Sequence, residues 1–414
     1  MNASSHVALR VGRLIDGSGN APLDDAVLVI AGERIQAVGR RGEVTIPEGA
    51  AIIDAPTSTL MPGMIDVHVH LAFGGDTDPR AFRAESTDIA YPLLALRAAA
   101  YARRTLGAGF TTVRDLHAPG GVVIDLRRAI DAGFAEGPRI LACGTGLSPT
   151  GGHMDQPGFG DHVAFVDLTQ ARDGPDAFRA GVRAQVKRGA DLIKINVCVS
   201  SHRDPGRPYR QEMSDDEIRA AIDEAHALER HVAAHTSGGP AIATAVAAGL
   251  DSVEHGHWID DRTADLMAEH GTTYVPTLLV NERNFELPQE TWGAARRGWR
   301  WLELAREAKW ESLERVRKSG VRIAVGSDAG FMLPHGDMNA REIELLVQGG
   351  LSPLEAITSA TRSGAELLGI DDIGSLAAGH VADLVLVEGD PSVDIRVLQQ
   401  PARLRVFRSG REIR

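Results

Sequence analysis

Six side chains whose types suit metal-assisted chemistry recur at one kind of place in this 414-residue chain, at or near the end of a strand-like segment. His68 and His70 close the stretch Pro62-Gly63-Met64-Ile65-Asp66-Val67-His68-Val69-His70. Pro-Gly punctuates its start and Ile65, Val67 and Val69 alternate with more polar partners, the pattern of a strand. Side chains two apart on a strand share a face, so the two imidazoles make half of a metal site. His235 ends Val232-Ala233-Ala234-His235, His255 ends Ser252-Val253-Glu254-His255, and Asp328 follows Arg322-Ile323-Ala324-Val325-Gly326. Lys194 sits inside Leu192-Ile193-Lys194-Ile195-Asn196-Val197, where apolar neighbours make an unmodified charge costly to bury. A single His-X-His pair or a lone strand-end histidine is ordinary core material. Scattered core histidines have no reason to select the same end of successive strands, and the set together points to a metal centre.

The elements that must position these residues follow a regular order. Residues 7 to 59 are short strands separated by Gly- and Asp-rich turns, a small β-domain, and Ala382–Val387 and Leu404–Phe407 repeat that style at the far end. Between them strand-like and helix-like segments alternate. A helical run from Leu93 to Leu106 ends at Gly107 and Gly109, and Ser214-Asp215-Asp216-Glu217 is a capping-box start for a helix through Leu228. A final helix is expected from Pro353 to Leu368. The count of strand–helix repeats is eight, that of a closed parallel barrel, whose active sites lie at the C-terminal ends of the strands. The alternative, a doubly wound open sheet, lacks its usual Gly-rich phosphate loop after the first strand. The expected fold is therefore α/β: a (β/α)8 TIM barrel over residues 60–370, with a small β-sandwich domain formed by the N-terminal segment 1–59 and the C-terminal segment 371–414.

Composition sets outer bounds. With 43% hydrophobic and 24% charged residues the chain is that of an ordinary soluble globular protein. A formal net charge of −12 argues against nucleic acid as a partner, which needs a basic face. The two cysteines, Cys143 and Cys198, imply no disulfide framework and a reducing compartment. No apolar run approaches a membrane span and the first residues carry no signal-like core, so the expected location is cytoplasmic, with no membrane partner.

These motifs, in this order, resemble the amidohydrolase superfamily, and within it the binuclear-zinc dipeptidases of the Xaa-Pro and Xaa-Arg type, a branch similar to ochratoxin-hydrolysing amidohydrolases. The resemblance runs from Gly-Arg-Leu-Ile-Asp-Gly (12–17) and the His68–His70 stretch through Thr111-Thr112-Val113-Arg114-Asp115, Leu192-Ile193-Lys194-Ile195, Ala234-His235 and Glu254-His255-Gly256. It continues through Val275-Pro276-Thr277-Leu278 and Gly326-Ser327-Asp328 to Gly379-His380-Val381-Ala382-Asp383-Leu384. It implies two Zn2+ ions, other divalent metals being alternatives, one held by His68, His70 and Asp328 and the other by His235 and His255. A carboxylated Lys194 would bridge them, because a carbamate offers two oxygens where an ammonium offers none. The implied reaction is hydrolysis of an amide by a hydroxide bridging the ions, with Asp328 as general base and His255 as a further catalytic residue beside the developing oxyanion.

Substrate clues come from the loops after strands, at 71–91, 147–174, 198–213 and 279–299. Thr150-Gly151-Gly152-His153 matches a motif whose histidine lies near substrate in the resembling dipeptidases. Those relatives place a tyrosine just before the Ser-x-Asp-Glu cap, where this chain has Met213 and carries Tyr209 four residues earlier. Arg203, Arg207, Arg210 and Arg283 are candidates for pairing with a substrate carboxylate, Arg207 and Arg283 foremost. Cys198 reads as a small buried hydrophobe, the tryptophans 292, 299, 301 and 310 as core or interface packing, and His117, His162, His202, His257 and His335 exceed what a binuclear site needs. The expected substrate is a dipeptide, an N-acyl amino acid or an aryl amide of the ochratoxin kind, and a homo-oligomer follows by resemblance. Lactone or phosphotriester hydrolysis and cyclic-amide hydrolysis use the same metals and stand as alternatives. A non-catalytic scaffold is disfavoured because all six ligand positions are filled, and a ring deaminase because His235-Thr236-Ser237-Gly238 offers no glutamate.

Overall fold

A computed structural model of the chain describes residues 6–77, 89–153, 155, 169–200, 209–287 and 296–413. They fall into two compact units, Met1–Asp66 with Arg103–Val113 and Gly336–Arg414, and Val67–Ala102 with Arg114–His335.

The first unit contains a seven-stranded sheet drawn from both ends of the chain, in the order Arg411–Glu412, Leu404–Arg408, Leu384–Glu388, Ala51–Pro62, His6–Leu14, Leu23–Ala31 and Arg34–Arg40. Successive residues of a strand point to opposite faces, so the apolar run Ala26-Val27-Leu28-Val29-Ile30 feeds both sides at once. Leu28 and Ile30 join Leu9, Val11, Leu60 and Phe407 in one core. Val27 and Val29 join Ala8, Val44 and Ile46 in another. The sandwich expected of the two termini thus takes the form of one hydrogen-bonded sheet with two apolar faces. The single helix expected from Pro353 to Leu368 is broken in two, Pro353–Ser359 and Arg362–Leu368, because Thr361 between them leaves helical geometry (φ −134°, ψ −91°).

The second unit is TIM-barrel-like. Strands Leu192–Asn196, His231–Gly238, Ser252–Trp258 and Thr273–Val275 pair in parallel, each of the first three followed by a helix. The expected capping box is present: the Glu217 amide donates to Ser214 Oγ (3.4 Å) and the Ser214 amide to Glu217 Oε2 (2.7 Å). Met64–Val69, Phe110–Asp115 and Arg139–Ala142 form a separate three-stranded sheet. The two sheets are tied on one side by the Asp191 amide to the Ala142 carbonyl (2.9 Å) and the Ala142 amide to the Asp191 carboxylate (2.8 Å). On the other, residues 322–329 form isolated parallel bridges, Ile323 with Tyr274 and Ala329 with Val69. The continuous closed barrel expected from the sequence is therefore met as two sheets and an irregular eighth segment.

That irregular segment has a local cause. A β-carbon at Gly326 would lie 2.7 Å from the His68 β-carbon and 2.4 Å from Val275 Cγ1, so only glycine lets the backbone pass this close to the histidine strand. The bonds it makes there set the register, with Val67 N–H to Val325 O at 2.8 Å and Asp328 N–H to His68 O at 2.8 Å. Gly326→Ala should lower the unfolding free energy by ~1–3 kcal/mol through overpacking, read as a reduced midpoint in urea denaturation.

Candidate metal centre

His68, Asp328 and His70 are brought together by backbone pairing. Because the Asp328 amide bonds the His68 carbonyl and the His70 amide bonds the Ala329 carbonyl (2.7 Å), the aspartate side chain is delivered beside both rings. Asp328 Oδ1 lies 3.0 Å from His70 Nε2 and 3.4 Å from His68 Nε2. One ligand atom from each of the three residues lies within 4.8 Å of the others, a group that could hold a metal ion.

Lys194, His235 and His255 line the same cavity, with His117, His153 and Asn196 beside them and Phe73, Leu116 and Phe331 as its apolar side. Parallel pairing sets Asn196 opposite His235 and Lys194 opposite Ala233, so the lysine and His235 share the inward face. His255 would point away from that face in a regular strand, since Glu254 occupies it in register with His235. Its left-handed backbone (φ 68°) breaks the alternation, and its ring lies 4.5 Å from that of His235 and 5.0 Å from that of His68. Asp328 (φ 62°) and Thr277 (φ 48°) share this conformation, which costs a non-glycine residue of order 1–3 kcal/mol and gathers at functional sites.

The imidazoles are oriented from behind. His68 Nδ1 donates to Glu254 Oε2 (2.7 Å), and the other oxygen of that carboxylate accepts from Arg114 Nη2 (2.7 Å) and from the Ser252 hydroxyl (2.5 Å). Arg114 also donates to the Val67 carbonyl (2.6 Å) and to Ser252 Oγ (3.0 Å). With Nδ1–H committed to Glu254, His68 presents the Nε2 lone pair to Asp328 and the cavity. His255 Nδ1 lies 2.7 Å from Thr277 Oγ1. Asp115 fixes the turn after His70 by accepting the Leu71 amide (2.7 Å).

Electrostatics suit a cation. Burial lowers His68 and His153 to about 4 and pushes His235 and His255 well below the ordinary imidazole value, so all four are neutral at pH 7 with lone pairs available. Burial would raise Asp328, yet the histidines and Lys194 beside it outweigh this and hold it at about 2. Burial also lowers Lys194 to about 8, against the opposing charge of Glu254. Lys194 Nζ, His235 Nε2 and His70 Nδ1 are buried with no hydrogen-bond partner among the described residues. Unmatched buried polar atoms are costly, and neutral nitrogens around a carboxylate oxygen are a donor set that zinc accepts, so these residues fit a metal site.

The remaining candidates divide. His153 is in the cavity, its ring stacked 3.9 Å from that of His235 and its amide donating to Glu212 Oε2 (2.7 Å). Tyr209 is not in the cavity lining: the short hairpin of Cys198–Ser200 with Tyr209–Gln211 carries its ring onto Gly238 and Gly239, beside Trp258 (5.9 Å), in a separate outer recess. Arg283 pairs with Glu286 (3.4 Å) one turn along its own helix, and Arg210 with Glu212 (2.8 Å), so neither reaches the cavity lining. Arg203, Arg207, His162, His202 and Trp292 lie outside the described residues. Cys198 is buried and accepts the Ser237 amide on its sulfur (3.2 Å). His117 lines the cavity, accepting the Gly146 amide on Nδ1 (3.2 Å), while His257 stacks behind His255 (6.3 Å) and His335 bonds the Phe73 carbonyl (2.9 Å). Trp301 sits 5.4 Å from His257, and Trp310 donates to Glu282 (2.9 Å).

Sequence reasoning gave no role to Arg114, Glu254 or Thr277. The available signal for the first two was a full charge within each of two strands, Phe110–Asp115 and Ser252–Trp258, whose every residue but the last of the second is buried. Arg114→Met would leave the Glu254 carboxylate buried without its main counter-charge, and the expected loss is ~3–5 kcal/mol of folding stability. Chemical denaturation of the metal-free protein would measure it, and a loss below about 1 kcal/mol would show that Glu254 does not depend on the arginine.

A model of the amidohydrolase family matches residues 59–413. The sequence is 32% identical to ochratoxinase of Aspergillus niger, over 97% of this chain and 85% of that protein. Among solved structures, a Xaa-Pro dipeptidase with methionine bound in its active site is similar at a TM-score of 0.87 and 32% identity, over 99% of this chain and 100% of that one. A prolidase complexed with N-methylphosphonate-L-proline is similar at a TM-score of 0.82 and 33% identity, over 99% of each chain.

Proposed function

The chain belongs to the amidohydrolase family and is a hydrolase of amide or peptide C–N bonds, and we propose that it cleaves substrates with a free carboxylate on the amine side, using two zinc ions. The substrate class is a dipeptide, an N-acyl amino acid or an aryl amide like that implied by the name of the Aspergillus relative. The observation that carries this reading is the convergence of His68, His70, Lys194, His235, His255 and Asp328 on one cavity, with the Lys194 ammonium buried and without a partner among the described residues. In this reading residues 60–370 are the hydrolase domain, and the segments 1–59 and 371–414 make the accessory β-domain.

His68, His70 and Asp328 would hold one ion, His235 and His255 the other, and Lys194, carboxylated, would bridge them. Bound zinc supplies an acidified water and polarisation of the scissile carbonyl. The chain's own residues do the rest. Asp328, ionised and held between two imidazoles, takes the proton of the attacking water and returns it to the departing amine. His255 can play one of its two expected parts at a time. With Nδ1–H donated to Thr277, its Nε2 lone pair is a ligand. In the other tautomer, with the Thr277 hydroxyl donating to Nδ1, Nε2–H would face a developing oxyanion. Its 2.7 Å bond to Thr277 supports either, and the zinc reading requires the first. His153, stacked on His235, is the substrate contact the cavity favours, while Phe73, Leu116 and Phe331 give the acyl side an apolar wall. Tyr209 and Arg283 have no part in this reading, since they lie outside the cavity lining. Cytoplasmic location and assembly as a homo-oligomer complete the proposal, and no helix among the described residues is long and apolar enough to cross a membrane.

Amine release from a panel of dipeptides and N-acyl amino acids, with lactone and phosphotriester controls, tests the substrate class. Cleavage confined to compounds with a free carboxylate on the amine side is expected, and turnover confined to the controls would overturn the amide assignment. The site is tested by two variants. Lys194→Ala should lose zinc, measured by elemental analysis, together with activity. Asp328→Asn should keep at least one zinc and lose ~10²–10⁴-fold in kcat, as removal of a general base does. Full turnover in either variant would contradict the assignment.

A further inference from the structure

The helix Arg296–Lys318 buries a lysine. Lys309 is 1% exposed and lies on the helix face that also buries Trp301, Ala305, Ser312, Leu313 and Val316. Its ammonium donates to Asn281 Oδ1 (2.7 Å), to the Thr277 carbonyl (2.9 Å) and to Thr277 Oγ1 (3.3 Å). Two of these three bonds end on one residue, and that residue is unusual. Thr277 stands at the N-terminus of the helix Leu278–Glu286, where a threonine hydroxyl ordinarily accepts a backbone N–H of the first turn. It makes no such bond. Its backbone is left-handed (φ 48°), a strained conformation for a β-branched side chain. The strain and the forgone cap place the hydroxyl 2.7 Å from His255 Nδ1.

We propose that Lys309 is a positioning residue for the metal centre: by bonding the Thr277 carbonyl and hydroxyl together, it fixes the oxygen that receives the His255 Nδ1–H, so that Nε2 faces the cavity. The hydroxyl oxygen has two lone pairs, one for each donor. Stability alone does not account for the lysine, because a buried charge network is often matched by apolar residues of similar volume. What methionine at this position would not supply is a donor that holds Thr277 in place. This inference rests on His255 being a zinc ligand.

The test is zinc retention against a graded series of chelator concentrations, with thermal melting of the zinc-free proteins alongside. Lys309→Met and Thr277→Val should each weaken zinc retention by ~10–100-fold, the usual cost of removing a residue that orients a ligand. The double variant should be no worse than the weaker single one, since Lys309 acts on His255 only through the Thr277 hydroxyl that Thr277→Val removes. Thr277→Ser, which keeps the oxygen, should restore most of what Thr277→Val loses. Wild-type zinc retention in a folded Lys309→Met protein would overturn the proposal, and so would losses that multiply in the double variant. If Lys309→Met does not fold, the threonine pair decides, equal retention in Thr277→Val and Thr277→Ser being the overturning result. His255→Ala serves as the control for the premise. Wild-type retention in that variant would remove the ligand assignment itself, whereas zinc loss there with none in Lys309→Met would remove only the role given to the lysine.

Discussion

The Glu254 carboxylate is the group on which the geometry of the site depends. It has no access to solvent, and a buried anion is tolerable only when its lone pairs are filled by well-placed donors. Arg114, Ser252 and His68 supply them, from three different strands. Burial alone would raise this carboxyl, and Arg114 first and His68 next bring it down to about 2, so it is an anion at any physiological pH. The same ion pair that ties the strands together therefore fixes which nitrogen of His68 carries a proton. Packing and chemistry are here one constraint: a shift of any of the three strands would change the orientation of the His68 imidazole along with the core.

The second organising feature is the break in strand alternation at the cavity rim. Regular strands send successive side chains to opposite faces, which would waste every other residue of Glu254-His255 and of Ser327-Asp328. The left-handed residue at His255 allows Glu254, on the inner face, and the cavity-lining His255 to come from adjacent positions, and Asp328 reaches the cavity through the same conformation. Glycine would adopt this backbone without strain, but glycine has no ligand atom. The cost of keeping histidine and aspartate there is met by the surrounding bonds, the Asp328 amide to His68 among them.

Much of this was legible in the sequence because periodicity and ligand chemistry are local signals. The His-X-His strand and the Ser214–Glu217 cap follow from rules that act within a few residues, and so does the placing of His235 and His255 on successive strands, although those strands run on to Gly238 and Trp258 where the sequence had ended them at the histidines. What was not legible depends on contacts between distant segments. Tyr209, four residues before the position where the resembling dipeptidases carry a substrate-contact tyrosine, was a candidate for that contact, but the pairing of Tyr209–Gln211 with Cys198–Ser200 sets its ring against Gly238 and Gly239. Arg283 was a candidate for pairing with a substrate carboxylate, whereas it lies on a helix one turn from Glu286. Arg114 and Lys309 show the reverse case. A charge in the middle of a strand, or on the apolar stripe of a helix, announces that a buried partner exists, yet only the folded chain shows that the partners are Glu254 and Thr277.

The unsatisfied groups of the cavity are better understood as one property than as separate defects. Folding places histidines and a lysine around a single aspartate, and leaves Lys194 Nζ, His235 Nε2 and His70 Nδ1 without partners among the described residues. Each such group sets buried desolvation against nothing, a cost of ~1–3 kcal/mol for neutral groups and more for a charge. A cation bound to the imidazole lone pairs, and a carbamate on the lysine, would remove that cost on the His235 and Lys194 atoms at one stroke. The free energy of binding then enters the folding equilibrium, since a ligand that binds only the native state stabilises it by an amount that grows with the logarithm of its free concentration relative to Kd. A cavity arranged in this way is least favourable when it holds only its own side chains. The rigid supports behind it, Glu254 on one side and Thr277 with Lys309 on the other, are what keep it from collapsing to satisfy itself.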